Sequence, residues 1–348
     1  MSRIASRNIT ELVKISSKQI TKDRSLLVEW YQKNKRILPW RSSRDPYKIW
    51  ISEVMLQQTT VTAVLPFYEK FLNRFPNVKV LATASIEDVY EYWAGLGYYS
   101  RARNLHKAAQ LFYQQGFPQT ADQLFQFPGL GPYTSRAIAS LAFNEPVGVL
   151  DGNVIRVLSR KYGIQSNWWE QSEKNKLQNI SDQLAHTNLN SDVNQGLMEL
   201  GATLCTPKKV MCLMCPWNKD CISYKKNLIS EIPLKKPKDK FQLWEWTFKV
   251  HLQNDQIYLE PNKTTPFLKN NPLPLSQAQM LHTKPQQFDF KHGVTKYEIF
   301  VNIQTLKTKP QKSEAGLWAK TSNITQINPT SLMKKIILHL KKSGKLKL

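Results

Sequence analysis

Along residues 25–225 the apolar positions recur at the three- and four-residue spacing of a helix face, so this stretch is predicted to be mostly α-helical. In "RDPYKIWISEVMLQQTTVTAVLPFYEKFLNRFP" Asp45 supplies an acceptor for the free N–H groups of a first turn. Pro46 then takes the first helical position, where a missing N–H costs nothing. Ile49, Trp50 and Val54 follow on one face, and a second amphipathic helix comes next. "SIEDVYEYWAGLGYYSRARNLHKAAQLFYQQG" predicts two more helices, interrupted at Gly95 and Gly97. Past Cys221 the period changes. Residues 226–242, most of them in "SYKKNLISEIPLKKPKDK" (223–240), are punctuated by lysine and proline and are predicted to be a linker. "FQLWEWTFKVHLQNDQIYLEP" and "VTKYEIFVNIQT" alternate at period two, as strands do, and "TSLMKKIILHLKKSGKLKL" closes as an amphipathic helix. The expected organisation is a basic arm over 1–24, a helical domain over 25–225 and a separate α+β domain over 243–348, with no internal repeat.

Charge changes this picture from a fold to a partner. The chain of 348 residues has 49 Lys+Arg against 26 Asp+Glu, a formal net charge of +23. All the cations after Arg160 are lysines, a compositional bias, but bias toward lysine does not explain the shortage of acids. Residues 231–348 hold 20 Lys+Arg and 8 acids, leaving 29 and 18 for residues 1–230, so both parts are basic (+12 and +11) and both could follow a phosphate backbone. No apolar run approaches the roughly 20 residues that cross a bilayer, so no membrane partner is expected. The first residues, "MSRIASRNITELVKISSKQITKDRS", lack a secretory apolar segment. They read as a frayed arm on a cytoplasmic protein, with an organelle presequence as the alternative.

Three features carry candidate chemistry. In "FQFPGLGPYTSRAIASLAF" (125–143) Gly129 and Gly131 allow a tight turn with bare backbone amides. Pro132 then starts a helix with Ala137, Ile138, Leu141 and Ala142 on its buried face, the layout of a helix–hairpin–helix that grips phosphate without reading bases. Asp151, in "VLDGNVIRV", precedes a helix with Val154, Ile155 and Leu158 on one face, and Glu53 lies in the helix from Pro46. Each alone suits a helix end. In a DNA-binding helical protein, however, a pair of carboxylates also suits glycosidic cleavage, one protonating the leaving group and one facing an oxocarbenium-like transition state. Finally, the chain's four cysteines, Cys205, Cys212, Cys215 and Cys221, fall in one Cys-x6-Cys-x2-Cys-x5-Cys run. In a reducing compartment such a cluster binds metal, and spacing alone admits structural zinc as well as iron and sulfur.

"LPWR", "DPYKIWISEVMLQQT", "GLGYYSRARNLHKAA", "FPGLGPYTSRAIASLAF", "VLDGNVIRV" and the cysteine run stand in the order found in adenine DNA glycosylases of the MutY family, within the endonuclease III superfamily. The resemblance spans roughly residues 25–225. It implies a mostly α, helix–hairpin–helix DNA glycosylase fold with an iron–sulfur loop over 205–221, in which the four cysteines hold one [4Fe–4S] cluster. It also implies a monomer acting on double-stranded DNA that carries A:8-oxoG or A:G mispairs.

Residue by residue, Glu53 resembles the acid that protonates adenine at N7, and Asp151, with Asn153 beside it, the carboxylate that faces the sugar cation. Tyr133 stands where lyase relatives carry a Schiff-base lysine, which implies a monofunctional enzyme. Trp40 and Arg41 match positions lining the adenine pocket, Gln58 and Tyr98 match residues that wedge into the base stack, and Thr59 matches one that contacts the opposite base. The tail resembles the family's Nudix-like lesion-recognition domain more faintly. Phe290, Lys291 and His292 stand at a Phe-Ser-His loop, with lysine in place of serine. Two readings stand beside this one: an endonuclease III-like glycosylase and lyase, and a non-catalytic iron–sulfur mispair-binding protein.

Overall fold

The structure is a computed structural model that describes residues 15–237, 241–308, 310, 315–328 and 330–346. The chain divides into two compact units, residues 1–236 and 237–348. The first unit holds α1 (Ser17–Asn34), α2 (Pro46–Leu56), α3 (Val61–Arg74), α4 (Val78–Thr83), α5 (Ile86–Trp93) and α6 (Tyr99–Gln115). It continues through α7 (Ala121–Phe125), α8 (Pro132–Phe143), α9 (Gly152–Tyr162), α10 (Gln171–Ala185), α11 (Asn190–Thr203) and the short α12 (Ile222–Lys225).

Two apolar cores lie within this unit. One is built by the face of α2 that holds Trp50, Ile51, Val54 and Met55, together with Phe71, Trp93, Leu105 and Phe112. The other joins Leu27 and Val28 of α1 to Val154 and Leu158 of α9, Leu197 and Leu200 of α11, and Trp217 of the cysteine loop. The α8 helix serves both: Ile138, Ala139 and Leu141 enter the first core, Ala137 the second. The expected helix starts hold where caps dictate them. Asp45 accepts from the Tyr47 amide at 2.9 Å, and Asp151 accepts from the Val154 amide at 2.7 Å.

Two boundaries differ from the sequence expectation. Ser16 caps α1 at Gln19, so residues 17–24 of the expected arm are helical; residues 1–14 lie outside the described ones. The reason is Asp23, fully buried, which accepts from Tyr162 at 3.0 Å and pairs with Lys161 at 2.7 Å, while its carbonyl accepts from the Trp217 indole at 2.9 Å. Similarly, the first part of the expected linker belongs to the helical unit. Ile232 is buried, its carbonyl accepts from Arg160 at 2.8 Å, and that of Leu234 accepts from Trp168 at 2.8 Å.

The second unit is a mixed sheet of β1 (Gln242–Gln253), β2 (Gln256–Pro261), β3 (Pro272–Leu273), β4 (Leu275–Leu281), β5 (Phe290–Val294), β6 (Tyr297–Leu306) and β7 (Leu317–Lys320), followed by α13 (Ile324–Ile327) and α14 (Ser331–Lys342). The long β1 is central. It runs parallel to β6, with Trp246 beside Val301, and antiparallel to β4 and β2. Alternate side chains Trp246, Phe248 and Val250 bury one face against Leu332, Met333, Ile336 and Leu340 of α14. The expected loop at Phe290–His292 is instead part of β5, hydrogen-bonded to β6 through Lys291 opposite Phe300. No helix among the described residues is long and apolar enough to cross a membrane.

Candidate active site

A cleft of about 1010 Å³ opens among α1, α2, α8, α11 and the start of α9. It gathers Trp40, Arg41, Glu53, Gln58, Thr59, Tyr133, Asp151 and Asn153, eight of the sequence-predicted residues, from five separate stretches of chain. Tyr98 does not line it and stands exposed on a neighbouring turn. Gly129, at φ +80, lines a smaller pocket with Gln57, Arg101 and Asn104. A Cβ there would meet the Asn104 Cβ at 2.9 Å, which ties glycine to this turn, whereas Gly131 faces open space. Phe290, Lys291 and His292 lie in the second unit. There Lys291 pairs with Glu298, and burial pushes the His292 imidazole down to about 4, with the Lys335 charge adding to the fall.

Glu53 is buried on α2 and receives a 2.9 Å hydrogen bond from the hydroxyl of Tyr133, in the first turn of α8. Burial and the nearby carboxylates hold that phenol well above its usual range, so it remains a donor. Burial raises Glu53 from 4.5 to about 7; the Tyr133 bond opposes the rise and Asp151 adds to it. Asp151 sits at the N-cap of α9, where Val154 N–H and the Asn153 side-chain amide donate at 2.7 and 3.0 Å. Burial raises it, and those donors oppose the rise. Gly201 of α11 lets this cap approach: a Cβ there would lie 2.7 Å from Asn153 Cβ. Burial raises both carboxyls, but Glu53 has the one donor Tyr133, whereas the donors fixed on Asp151 favour its charged form against that rise.

The rise of Glu53 has a stability consequence. Between about pH 4.5 and about 7 the folded chain keeps a proton that the unfolded chain has released, so stability falls as pH rises through that window and then levels. Glu53→Gln removes the charge but keeps an acceptor for Tyr133. It should stabilise the fold at pH 8 by on the order of 2–3 kcal/mol and far less at pH 5. Thermal melts of both proteins at the two pH values check this; equal shifts at both would contradict it.

Several residues that order the site carry no sequence signal of their own. Glu199, fully buried on α11, accepts from Arg36 at 2.6 Å and from Arg41 at 2.8 Å, fixing Arg41 at the cleft wall. Arg156 donates to Asn153 Oδ1 and to the carbonyls of Gly201 and Cys205, each at 2.8 Å, so the Asp151 cap is tied to the cysteine loop. A helical residue facing a carbonyl 40 or more positions away reads as an ordinary solvated cation until the helices are packed.

All four cysteines are free and line one pocket with Leu204, Met211, Tyr224 and Ile229. Arg160 reaches Cys205 Sγ at 3.5 Å. Burial pushes the thiols of Cys212 and Cys221 up, and that of Cys215 to about 12, with the neighbouring sulfurs adding to each rise. Among the described residues no group of three or more His, Cys, Asp or Glu is placed to hold a metal ion.

The family described as "HhH-GPD superfamily base excision DNA repair protein" matches residues 51–183, which include Glu53, the Gly129–Gly131 turn and Asp151. An adenine DNA glycosylase of Buchnera aphidicola subsp. Schizaphis graminum is 33% identical over 339 residues, covering 90% of this chain and 96% of its own. The adenine DNA glycosylase of Mus musculus is 42% identical over 219 residues, 60% of this chain and 42% of that one. Among solved structures, a thermostable thymine-DNA glycosylase is 27% identical with a TM-score of 0.55, covering 60% of this chain and 98% of its own. Endonuclease III in a non-covalent DNA complex is alike in fold, at 20% identity and a TM-score of 0.51, covering 62% of this chain and 99% of its own.

Proposed function

The chain belongs to the adenine DNA glycosylase family, and from that membership we propose how its cleft acts and on which DNA. It is a glycosylase of base excision repair that hydrolyses the bond between adenine and deoxyribose. The observation that carries the mechanism is the unequal carboxylate pair, Glu53 dry beneath Tyr133 and Asp151 capped by fixed donors.

Adenine leaves the duplex stack and enters the cleft. Glu53 Oε2 accepts from Tyr133, which leaves Oε1 to hold the proton, and with a pKa of about 7 a large fraction carries it at neutral pH. That proton passes to adenine N7 as the glycosidic bond breaks, and the bonding pair leaves with the base. Asp151, ionised, offsets the positive charge that develops on the sugar. Water then adds at C1′ and gives up a proton to the freed carboxylate. Trp40 and Arg41 line the base-binding wall, Gln58 and Tyr98 fill the gap in the stack, and Thr59 faces the opposite base. No amine occupies position 133, so no Schiff base forms, and the product strand keeps its backbone. This last point argues against the lyase reading.

The donor set fits a [4Fe–4S] cluster. Four free thiols share one pocket, and four thiolates are the ligand set such a cluster takes. Cys205, Cys212, Cys215 and Cys221 would hold it. When bound, the cluster supplies a rigid four-point anchor for a loop whose Lys208, Lys209 and Lys219 face phosphate.

The second unit reads the base opposite adenine, 8-oxoguanine or guanine, with Phe290, Lys291 and His292 on β5 as its contacts. The protein acts as a monomer, in the cytoplasm at the nucleoid.

Two readouts from one assay test the proposal. In single turnover, adenine opposite 8-oxoG or G should be removed and adenine opposite T or C spared; equal removal from all four duplexes would contradict the mispair reading. Product strands should break only after alkali, and borohydride should trap little covalent complex. Scission without alkali would overturn the assignment of Tyr133.

A further inference from the structure

Gln58 and Tyr98 are exposed non-glycine residues in the left-handed region, at φ 56 and φ 49. That conformation is disfavoured for both side chains and persists only where the surroundings impose it. Between them lies Arg101 of α6, almost fully buried. Its Nη1 donates to the carbonyls of Val54, Met55 and Gln57 at 3.0, 2.9 and 2.5 Å. Its Nη2 donates to those of Leu96 and Gly97 at 3.1 and 3.3 Å. The guanidinium also lies over the rings of Trp93 and Tyr98, 5.5 and 5.4 Å from their centroids.

The placement of the two outermost acceptors is informative. The carbonyls of Gln57 and Gly97 belong to the peptide groups directly before Gln58 and Tyr98. The φ angle of each exposed residue is the rotation away from that peptide, so fixing the carbonyl fixes the plane from which the residue projects. One planar fork therefore sets both projections, and α2, whose last carbonyls it also holds, is the common reference. We propose that Arg101 is a positioning residue that holds Gln58 and Tyr98 in their left-handed conformations, poised to enter the base stack as adenine leaves it. This rests on the reading above, in which Gln58 and Tyr98 occupy the stack.

A lysine cannot substitute. Its ammonium is a single point, and the acceptors are divided between two nitrogens of a rigid plane. Arg101→Lys in the full chain should slow single-turnover excision of adenine from an A:G duplex by about 10- to 100-fold. Adenine held in a single-base bulge is already free of a partner, and its excision should run near the wild-type rate. In a Gln58→Ala, Tyr98→Ala background the same Arg101→Lys change should add little, because the residues it positions are gone. Equal slowing on both substrates would overturn the proposal, since that is the mark of a general loosening of α2 and Glu53; so would an unchanged rate on the A:G duplex. Should Arg101→Lys fail to fold, Gly97→Ala tests the same turn without removing a buried charge. Gly97 is at φ +70 and an added methyl meets nothing within 4 Å, so only the backbone conformation is disfavoured. It should give the same split between duplex and bulge, and equal slowing again contradicts. Failure of the wild-type protein on the A:G duplex would instead count against the adenine glycosylase reading on which the proposal rests.

Discussion

Glu53→Gln should lower single-turnover adenine excision by about 10²–10⁴-fold while duplex binding survives, because a positioned general acid is worth that much. The substitution keeps the shape and the acceptor for Tyr133, whose hydroxyl lies 2.9 Å from Glu53 Oε2, and removes only the transferable proton. In the wild-type protein the active form has Glu53 protonated and Asp151 ionised. Burial raises Glu53 to about 7, so the rate should fall as pH climbs through that value, and in the Gln variant this limb should vanish. Asp151→Asn should be as severe. Asparagine caps helices as well as aspartate does, so the start of α9 should persist while the charge facing the sugar is lost. Binding titrations and single-turnover rates across pH separate these effects; near-normal excision by either variant would remove that residue from its role.

Loss of any one of the four thiols should be the second large effect. Protein prepared without oxygen should be brown and carry about four irons per chain. Cys212→Ser should fall in solubility or in DNA affinity. The physical route is the loop itself: Cys212 and Cys215 flank a short turn, Cys221 opens α12, and Trp217 between them is buried in the core with α1 and α9. A loop without its anchor would take Lys208, Lys209 and Lys219 away from phosphate. The slope of log affinity against log salt should then become shallower by about three, one for each lost contact. Stoichiometric zinc without iron in the wild-type protein would contradict the cluster.

What could be read in the sequence was whatever is local. The start of α2 follows from an N-cap aspartate and a proline. The turn before α8 follows from two glycines, and β1 and α14 follow from periods of two and 3.6 over long segments. Glu53 and Asp151 sit at positions where an acid also suits a helix, so their pairing in one cleft depends on α2 and α9 being brought together by α8 and α11. The resemblance, rather than any local pattern, singled them out. The positioning residues were invisible for the same reason. Arg101 and Arg156 act on carbonyls about 45 residues away, and Glu199 on arginines more than 150 away. Short strands such as β4 and β7 lack the length for a period, and β4 is half polar, so pairing with β1 and β2 rather than propensity makes them strands. The helix over residues 17–24 escaped because a run of lysine, serine and threonine gives little apolar stripe, while its anchor is one buried aspartate.

In this reading the cleft breaks the bond between adenine and its sugar. The most direct measurement is mass detection of the free base released, in single turnover, from a duplex carrying one adenine opposite 8-oxoguanine. Free adenine equimolar with the enzyme-bound duplex, from a strand that stays whole until alkali is added, is the expected result. A duplex bound tightly with no base released, or a pyrimidine released together with a broken strand, would contradict it.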